Sequence, residues 1–323
     1  MKGGKVLSVC LCTVLVMIGS LSAQAAGRDA KYPAKPIKVL ILEGPGGTCD
    51  VPTRALARAV EKILGQPVVC MNVPGGGGVR LLTEMQREKA DGYVIGTISA
   101  GTIISSLWTH VDFSVVKDFS PVVEYQTHPL PVAVNKDAPW NSWEAFLKAA
   151  RTAKEPMKIG MWGSRSFAWM ALEQIAKKEK ITFTYVPFSS TGEAMSSILG
   201  GHTDVTTGSS GIMYSKQGGT LKTLLIFANG RIKDLPGVPT ANEKGYFGLG
   251  LTGGFSGFVA PKGLPDHILK TLEDAFRTGV RDDEYQKLLA KYDLLVNYKS
   301  GKEFGEELKT LETQIGDVLK HIK

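Results

Sequence analysis

The chain has 323 residues and a formal net charge of +7, and 43% of its residues are hydrophobic. This composition is typical of a globular protein of about two domains, and it excludes a disordered or low-complexity chain. The positive residues are scattered, and their densest group, Lys177-Lys178-Glu179-Lys180, is interrupted by an acid. We therefore predict no nucleic-acid-binding surface.

The N-terminal segment has the three parts of a secretory signal peptide. Lys2 and Lys5 precede an uncharged apolar run at 6–18, and Ser22-Ala23-Gln24-Ala25 supplies small residues spaced for cleavage. A buried helix or a membrane span is the alternative, but a span needs about 20 apolar residues and this run is shorter. We predict a signal peptide over 1–25 that is removed on export to the periplasm.

Strands and helices alternate from residue 37 onward. Residues 37–42 form an unbroken apolar run, which is typical of a strand buried on both faces. A glycine-rich loop follows, and then a helix whose apolar residues recur at helical spacing up to Leu64, with Asp50 placed to cap its start. The β-α-β-α-β order predicts a parallel sheet. The next elements of this set are strand 67–71, glycine-rich loop 74–78, helix 79–89 and strand 93–98.

A second set of alternating elements starts near residue 130, and the C-terminal tail is mainly helical. Two such α/β units facing each other predict a cleft at the carboxyl ends of their strands. The second set comprises helix 142–153, strand 157–162, loop 163–166, helix 167–178, strand 182–186, helix 193–199 and strands 203–207 and 222–227. The tail comprises strand 255–259, helices 266–279, 283–291 and 301–321, and a short strand at 293–297.

The loops at the strand ends carry the chemistry. Consecutive glycines at 44–50 and 74–78 let backbone N–H groups converge, and the following helices add partial positive charge. Such loops hold anions without a charged side chain, and loop 163–166 adds hydroxyls and Arg165. The alternative is that the glycines only make tight turns.

Enzyme motifs are missing from the sequence. It contains neither a G-x-x-x-x-G-K-[ST] phosphate loop nor a G-x-S-x-G nucleophile elbow. The five histidines are isolated, so each is expected at the surface or satisfied in the core, and we predict no metal, no cofactor and no catalytic residue. Cys49 and Cys70 remain after signal cleavage, and the sequence leaves open whether they form a disulfide.

Nearly all of the mature chain resembles the solute-binding proteins of tripartite tricarboxylate transporters, the Bug-type receptors. Each matching segment is short, but the segments occur in the order and spacing of the family. They include Tyr32-Pro33-x-x-Pro36-Ile37, Pro45-Gly46-Gly47-Thr48-Cys49-Asp50, Asn72-Val73-Pro74-Gly75-Gly76-Gly77-Gly78, Asp91-Gly92-Tyr93, Val116-Lys117-Asp118-Phe119-Ser120-Pro121-Val122, Leu199-Gly200-Gly201-His202-Thr203-Asp204, Leu235-Pro236-Gly237-Val238-Pro239-Thr240 and Phe258-Val259-Ala260-Pro261.

The resemblance implies an α/β type II periplasmic-binding-protein fold with two lobes, a cleft and a hinge. We expect one lobe over 27–124 plus 256–323 and the other over 125–255, with hinge crossings near 122–134 and 248–258. The resemblance also implies that backbone groups and ordered water at the two glycine-rich loops hold one carboxylate of the ligand. Family members bind di- and tricarboxylates, aromatic acids and acidic amino acids.

Departures from the family pattern point to a rebuilt second lobe. Glu43 replaces an apolar or aromatic residue, and it is expected to meet either a ligand ammonium or a protein cation or water. Ser189 replaces the family's lysine and Gly208 its aspartate, while Arg165 adds a charge that either faces solvent or contacts a distal carboxylate of the ligand. The predicted ligand-binding residues are Gly46, Gly47, Thr48, Asp50, Gly75, Gly76, Gly77, Thr97, Ser99, Trp162, Ser164, Arg165, Ser166, Ser189 and Ser209.

The sequence thus predicts a monomeric periplasmic receptor that captures a small carboxylate by closure of two lobes and delivers it to membrane transporter subunits. A receptor that reports its ligand to a membrane signalling partner is an alternative. A secreted hydrolase or isomerase on the same scaffold is a second alternative, against which the missing nucleophile and base argue.

Overall fold

Two β-sheets organise the chain. The computed structural model describes residues 32–109, 111–208, 215–216, 219–228, 230–246, 253–292 and 294–322. The predicted signal peptide, Ser209 and residues 248–252 of the predicted crossing at 248–258 lie outside these residues. None of the described helices is long and apolar enough to cross a bilayer.

The first sheet has the strand order β11-β4-β10-β3-β1-β2 within the described residues. Strands β1, β2 and β3 are parallel, whereas β10 is antiparallel to β3 and β4, and β11 is antiparallel to β4. All five residues of β3 are buried, as expected of a strand covered on both faces. The strands are β1 (Ile37–Ile41), β2 (Val68–Asn72), β3 (Val94–Ile98), β4 (Phe119–His128), β10 (Gly254–Pro261) and β11 (Leu295–Ser300).

Helices connect the parallel strands of the first sheet, and the C-terminal helices pack on it. These helices are α1 (Asp50–Leu64), α2 (Val79–Met85), α3 (Ala100–Thr109), α7 (Asp266–Gly279), α8 (Asp283–Lys291) and α9 (Gly301–Ile322). Helices α7 and α8 contact α1, and α9 packs against β4 and α3. The chain therefore returns to its first sheet after leaving it at β4.

The second sheet has the order β7-β6-β8-β5-β9 in the described part of the chain. Strand β6 is parallel to β7 and β8, while β5 runs antiparallel to β8 and β9. Its strands are β5 (Leu130–Asn135), β6 (Met157–Trp162), β7 (Phe183–Phe188), β8 (Val205–Thr206) and β9 (Leu221–Phe227). Its helices are α4 (Trp143–Thr152), α5 (Phe167–Glu179) and α6 (Thr191–Leu199).

Serine caps start the three helices of the second sheet. The hydroxyls of Ser142, Ser166 and Ser190 each accept a hydrogen bond from the backbone N–H group three residues later in the chain, at 3.1, 3.2 and 3.1 Å. Such caps satisfy donors that have no partner inside the helix. The cap at Ser190 starts α6 at Thr191, two residues before the predicted start at 193.

The predicted alternation of elements is confirmed, but the sequence pattern missed α3 and β4. Helix α3 contains glycine and several β-branched and hydroxyl residues, all weak helix formers. Strand β4 contains Pro121 and two fully buried polar residues, Glu124 and Gln126, which interrupt the apolar pattern expected of a buried strand. Lys299 donates to Glu124 at 3.0 Å, and burial, with Glu307 nearby, raises the pKa of Glu124 to about 7.

A tight contact in the first sheet is testable at Gly257 of β10. A Cβ at this position would overlap the ring of Phe304 and lie 2.8 Å from the carbonyl oxygen of Val123, which belongs to the sheet and cannot move aside. Gly257→Ala should therefore lower the free energy of unfolding by about 1–3 kcal/mol, as measured by urea denaturation. Gly237→Ala is the matched control, because a Cβ there meets open space, and an equal loss in both variants would contradict the prediction.

Candidate functional site

A cavity lies at the carboxyl ends of strands from both sheets. Leu42 and Glu43 follow β1, Ser99 follows β3, Trp162 ends β6 and Thr207 follows β8. Ligands of parallel α/β sheets bind at this edge. The other described residues of the wall are Thr48, Cys49, Ala100, Gly101, His128, Leu130, Ser166, Phe167, Ala168, Thr191, Gly208, Gly254, Phe255 and Ser256.

Four of the described helices begin at the cavity. Cys49 immediately precedes α1, Gly101 lies in the first turn of α3, Phe167 begins α5 and Thr191 begins α6, and all four residues line the wall. Each helix start carries a partial positive charge, and at α5 and α6 the serine caps Ser166 and Ser190 already accept one N–H group each. The cavity is therefore built to hold negative charge without lysine or arginine.

Three backbone N–H groups of the first glycine-rich loop donate hydrogen bonds to acceptors within the protein. Gly46 N–H donates to Asp50 Oδ2 at 2.9 Å, Thr48 N–H to Thr191 Oγ1 at 2.9 Å, and Cys49 N–H to Glu43 Oε2 at 2.7 Å. The bond from Thr48 to Thr191 joins this loop to the start of α6 in the second sheet. The predicted contact of this loop with a ligand carboxylate stays a prediction.

Glu43 places a carboxylate in the cavity wall, where it is only 2% exposed. Its carboxylate lies against Gly47, where any side chain would overlap it. Burial raises the pKa of Glu43 to about 7, an effect that hydrogen bonds from Cys49, Thr191 and Asp50 oppose and the charge of Asp50 reinforces. No lysine or arginine of the described chain forms an ion pair with Glu43. Of the alternatives given for Glu43, pairing with a protein cation is therefore not seen among these residues.

Asp50 supports the loop but does not cap α1, so the capping prediction is wrong. The helix begins at Asp50 itself, after Cys49, which makes no side-chain cap. The Asp50 carboxylate instead accepts from Gly46 N–H, from Arg54 Nε at 2.8 Å and from Asn72 Nδ2 at 2.8 Å. This buried network fixes the loop relative to β2.

The second glycine-rich loop packs behind α3. Gly75, Gly76, Gly77 and Gly78 all have positive φ, a conformation that only glycine adopts without strain. A Cβ on Gly77 would overlap the Ser105 hydroxyl of α3, so the loop is pressed against that helix. Its glycines are not among the described residues of the cavity wall, and their contact with ligand remains a prediction.

The predicted site residues thus separate into three groups. Thr48, Ser99, Trp162 and Ser166 lie on the wall of the cavity. Ser209 lies outside the described residues. The others are not among the described wall residues: Gly46, Gly47, Asp50, Gly75, Gly76, Gly77, Thr97, Ser164, Arg165 and Ser189. The assignment of all these residues to ligand binding remains a prediction.

Three of the residues that are not on the wall form hydrogen bonds or cation–π contacts within the protein. Thr97 is fully buried, and its hydroxyl accepts from Leu42 N–H at 3.0 Å. The Ser189 hydroxyl donates to Glu193 at 2.6 Å. The Arg165 guanidinium lies over the rings of Trp108 and Trp169, at 4.6 and 4.8 Å from their centroids, so cation–π contacts hold it away from the cavity wall.

Sequence reasoning missed His128, which ends β4 and lines the cavity. Its Nδ1 atom is shielded from solvent and has no hydrogen-bond partner in the described parts of the chain. Burial lowers the pKa of His128 to about 4, so the imidazole is neutral at pH 7. Strand β4 carries His128, and because the sequence pattern missed that strand, no sequence signal placed this histidine at the cavity.

Cys49 and Cys70 are free thiols. Cys49 is buried, and its sulfur lies 3.6 Å from the hydroxyl of Tyr125. Burial raises the pKa of Cys49 to about 12 and that of Cys70 to about 11, so neither is a reactive thiolate at neutral pH. The open question of a disulfide is resolved against one.

Two α/β halves with a cavity at their strand ends define a two-lobed binding protein of the type II periplasmic class. Residues 53–322 match the family described as "Tripartite tricarboxylate transporter family receptor", and the chain belongs to that family. Members of this family are periplasmic solute receptors, which confirms the predicted fold, the family resemblance and the prediction of a receptor instead of an enzyme.

Related proteins agree with this family membership. A Cupriavidus necator protein called "UPF0065 protein in gbd 5'region" is 30% identical over 92% of this chain and 90% of its own length. A solved structure described as a periplasmic transporter is 26% identical, with a TM-score of 0.84 over 90% of this chain and 97% of that one. MatC from Rhodopseudomonas palustris, solved with bound malate, shares the fold at 23% identity and a TM-score of 0.82, covering 90% of this chain and all of MatC (100%).

The Asp50 network gives a testable role to a residue beside the cavity. Asp50→Ala should lower the free energy of unfolding by about 1.5–3 kcal/mol, because Gly46, Arg54 and Asn72 lose a charged acceptor. It should also weaken ligand binding, since the loop that carries Thr48 loses its support. Urea denaturation and calorimetry measure the two effects. Asp137→Ala, which removes an exposed carboxylate, is the control, and a loss no larger than the control's would contradict the prediction.

Proposed function

We propose that this chain is an extracytoplasmic receptor that captures a small carboxylate for a tripartite tricarboxylate-type transporter. The observation that carries the proposal is the cavity at which α1, α3, α5 and α6 all begin. Aimed dipoles in a site shielded from water stabilise a carboxylate strongly, because no solvent has to reorganise around it. Family membership supports the transport role.

Capture proceeds by closure of the two lobes over the ligand. The bond between Thr48 N–H and Thr191 and the bond from Gly44 N–H to the Ser189 carbonyl at 2.9 Å join loops of the two sheets beside the cavity. A ligand that contacts both sides adds to these bonds and stabilises the closed form. The closed form is the state that membrane transporter subunits would recognise.

The proposal includes the division into lobes at 27–124 plus 256–323 and 125–255, a monomeric state, and removal of residues 1–25 on export. The pairing of β4 in the first sheet as far as His128 and of β10 from Gly254 supports lobe boundaries near these positions. The packing of α9 on β4 supports placing the C-terminal helix on the first lobe.

The function is tested by titrating the purified mature chain with a panel of carboxylates in a calorimeter. The panel contains short monocarboxylates, aromatic acids, amino acids and dicarboxylates including malate, and each acid is matched with its uncharged amide. At least one acid should bind, and at 100 times its dissociation constant it should add about 2.7 kcal/mol to the free energy of unfolding. Binding of amides but not of acids, or turnover of any compound, would overturn the proposal.

Ser99 offers a test of which hydroxyl meets the ligand. Its Oγ atom has no hydrogen-bond partner among the described residues, and the side chain faces the cavity. Ser99→Ala should weaken binding by about 0.5–1.5 kcal/mol without lowering the stability of the empty protein. Ser105→Ala is the matched control, because that hydroxyl is also buried and unpaired within the described chain but is not on the wall. Equal affinities of the two variants would remove Ser99 from the site.

A further inference from the structure

The charge of the cavity wall differs from that expected for a receptor of fully anionic ligands. Glu43 contributes a carboxylate, and none of the described wall residues is a lysine or arginine. His128 also lies on the wall, but burial lowers its pKa to about 4, so its imidazole is neutral at pH 7 and adds no positive charge. Arg54, near the first loop, is paired with Asp50 at 2.8 Å. The first-loop side of the cavity therefore carries unbalanced negative charge when Glu43 is ionised.

Glu43 already occupies backbone donors that would otherwise face a bound anion. Its Oε2 atom accepts from Cys49 N–H at the start of α1, and Gly47 leaves room for the carboxylate. A ligand carboxylate at this end would meet a like charge and a donor that is already used. A ligand ammonium at this end would meet an ionised acceptor in a shielded setting, where charge-assisted hydrogen bonds are strongest.

A second part of the cavity wall can hold an anion. Helices α3 and α5 begin there, and the unpaired hydroxyl of Ser99 lies at the start of α3. Leu130, Trp162, Phe167 and Phe255 provide apolar surface elsewhere on the wall. The wall thus combines an acceptor for a cation, an anion-binding end and an apolar surface between polar groups.

We propose that the ligand is an amino-bearing carboxylate with an apolar body, whose ammonium group is bound by Glu43 and whose carboxylate lies at the starts of α3 and α5. This inference rests on the proposed function, because it keeps carboxylate capture and specifies the second charged group. Glu43 balances the ammonium of such a ligand, and the helix dipoles balance its carboxylate, so no lysine or arginine is needed among the described wall residues.

Other titratable groups around Glu43 do not replace a ligand cation. Asp50 on α1 adds negative charge and is itself paired with Arg54. The Cys49 thiol is uncharged, because burial raises its pKa to about 12. Glu193 on α6 is exposed and accepts from Ser189.

The test compares matched ligands that differ only in the amino group: leucine with 4-methylpentanoate, and phenylalanine with 3-phenylpropanoate. Calorimetry on the full mature chain at pH 8 should show the amino member of at least one pair binding about tenfold tighter or more, because Glu43 is then ionised. Glu43→Gln keeps an acceptor for Cys49 N–H but removes the charge, and it should reduce the preference to about threefold or less. Glu193→Gln removes an exposed carboxylate on α6 and should keep the preference.

The pH dependence separates an ammonium contact from its main rival, a protonated Glu43 that donates to a ligand carboxylate. Below the pKa of Glu43, about 7, the affinity for the amino member should fall by up to about tenfold per pH unit, since protonation removes the acceptor charge. The rival gives the opposite slope, with tighter binding at pH 5.5 than at pH 8. Tighter binding of the deaminated members would overturn the inference and leave the proposed function standing. Binding of no carboxylate in the panel would overturn the proposed function and this inference with it.

Discussion

The hydrogen bond from Cys49 N–H to the carboxylate of Glu43 sets the electrostatics of the whole site. It holds a buried acid at a helix start, where the dipole partly compensates the cost of removing that charge from water. Gly47 is required because no side chain fits beside the acid, and Asp50 is required because it holds the loop that presents the donor. The balance of the remaining dipoles then decides which charges a ligand can bring.

The order of strands and helices was predictable because the apolar periodicities are strong and the glycine loops mark where strands end. Predictions failed where local preference and tertiary environment disagree. Helix α3 is built from poor helix formers that are stabilised by burial, and β4 hides Glu124 and Gln126 in the sheet. Burial of a polar strand depends on partners such as Lys299, which is distant in sequence and invisible to a local pattern.

The site was predictable at the level of loops and less so at the level of side chains. Thr48, Ser99, Trp162 and Ser166 were expected from their places after strands or before helices, and they line the cavity. Arg165 was expected to face either solvent or ligand, but two tryptophans from different helices hold it. His128 depends on a strand that the pattern did not reveal. Side-chain direction is set by such non-local contacts, so the sequence indicates which loops meet and not which atoms face inward.

The bond between Thr48 N–H and Thr191 has a consequence for the lifetime of a complex. For an enclosed ligand to leave, this bond and the bond from Gly44 N–H to the Ser189 carbonyl must both break. The two N–H donors then form hydrogen bonds with water. Water replaces such bonds at little net free energy, so they scarcely alter the equilibrium between open and closed forms. They instead raise the barrier that separates these forms, and the residence time of the ligand is set in part by bonds that the protein makes with itself.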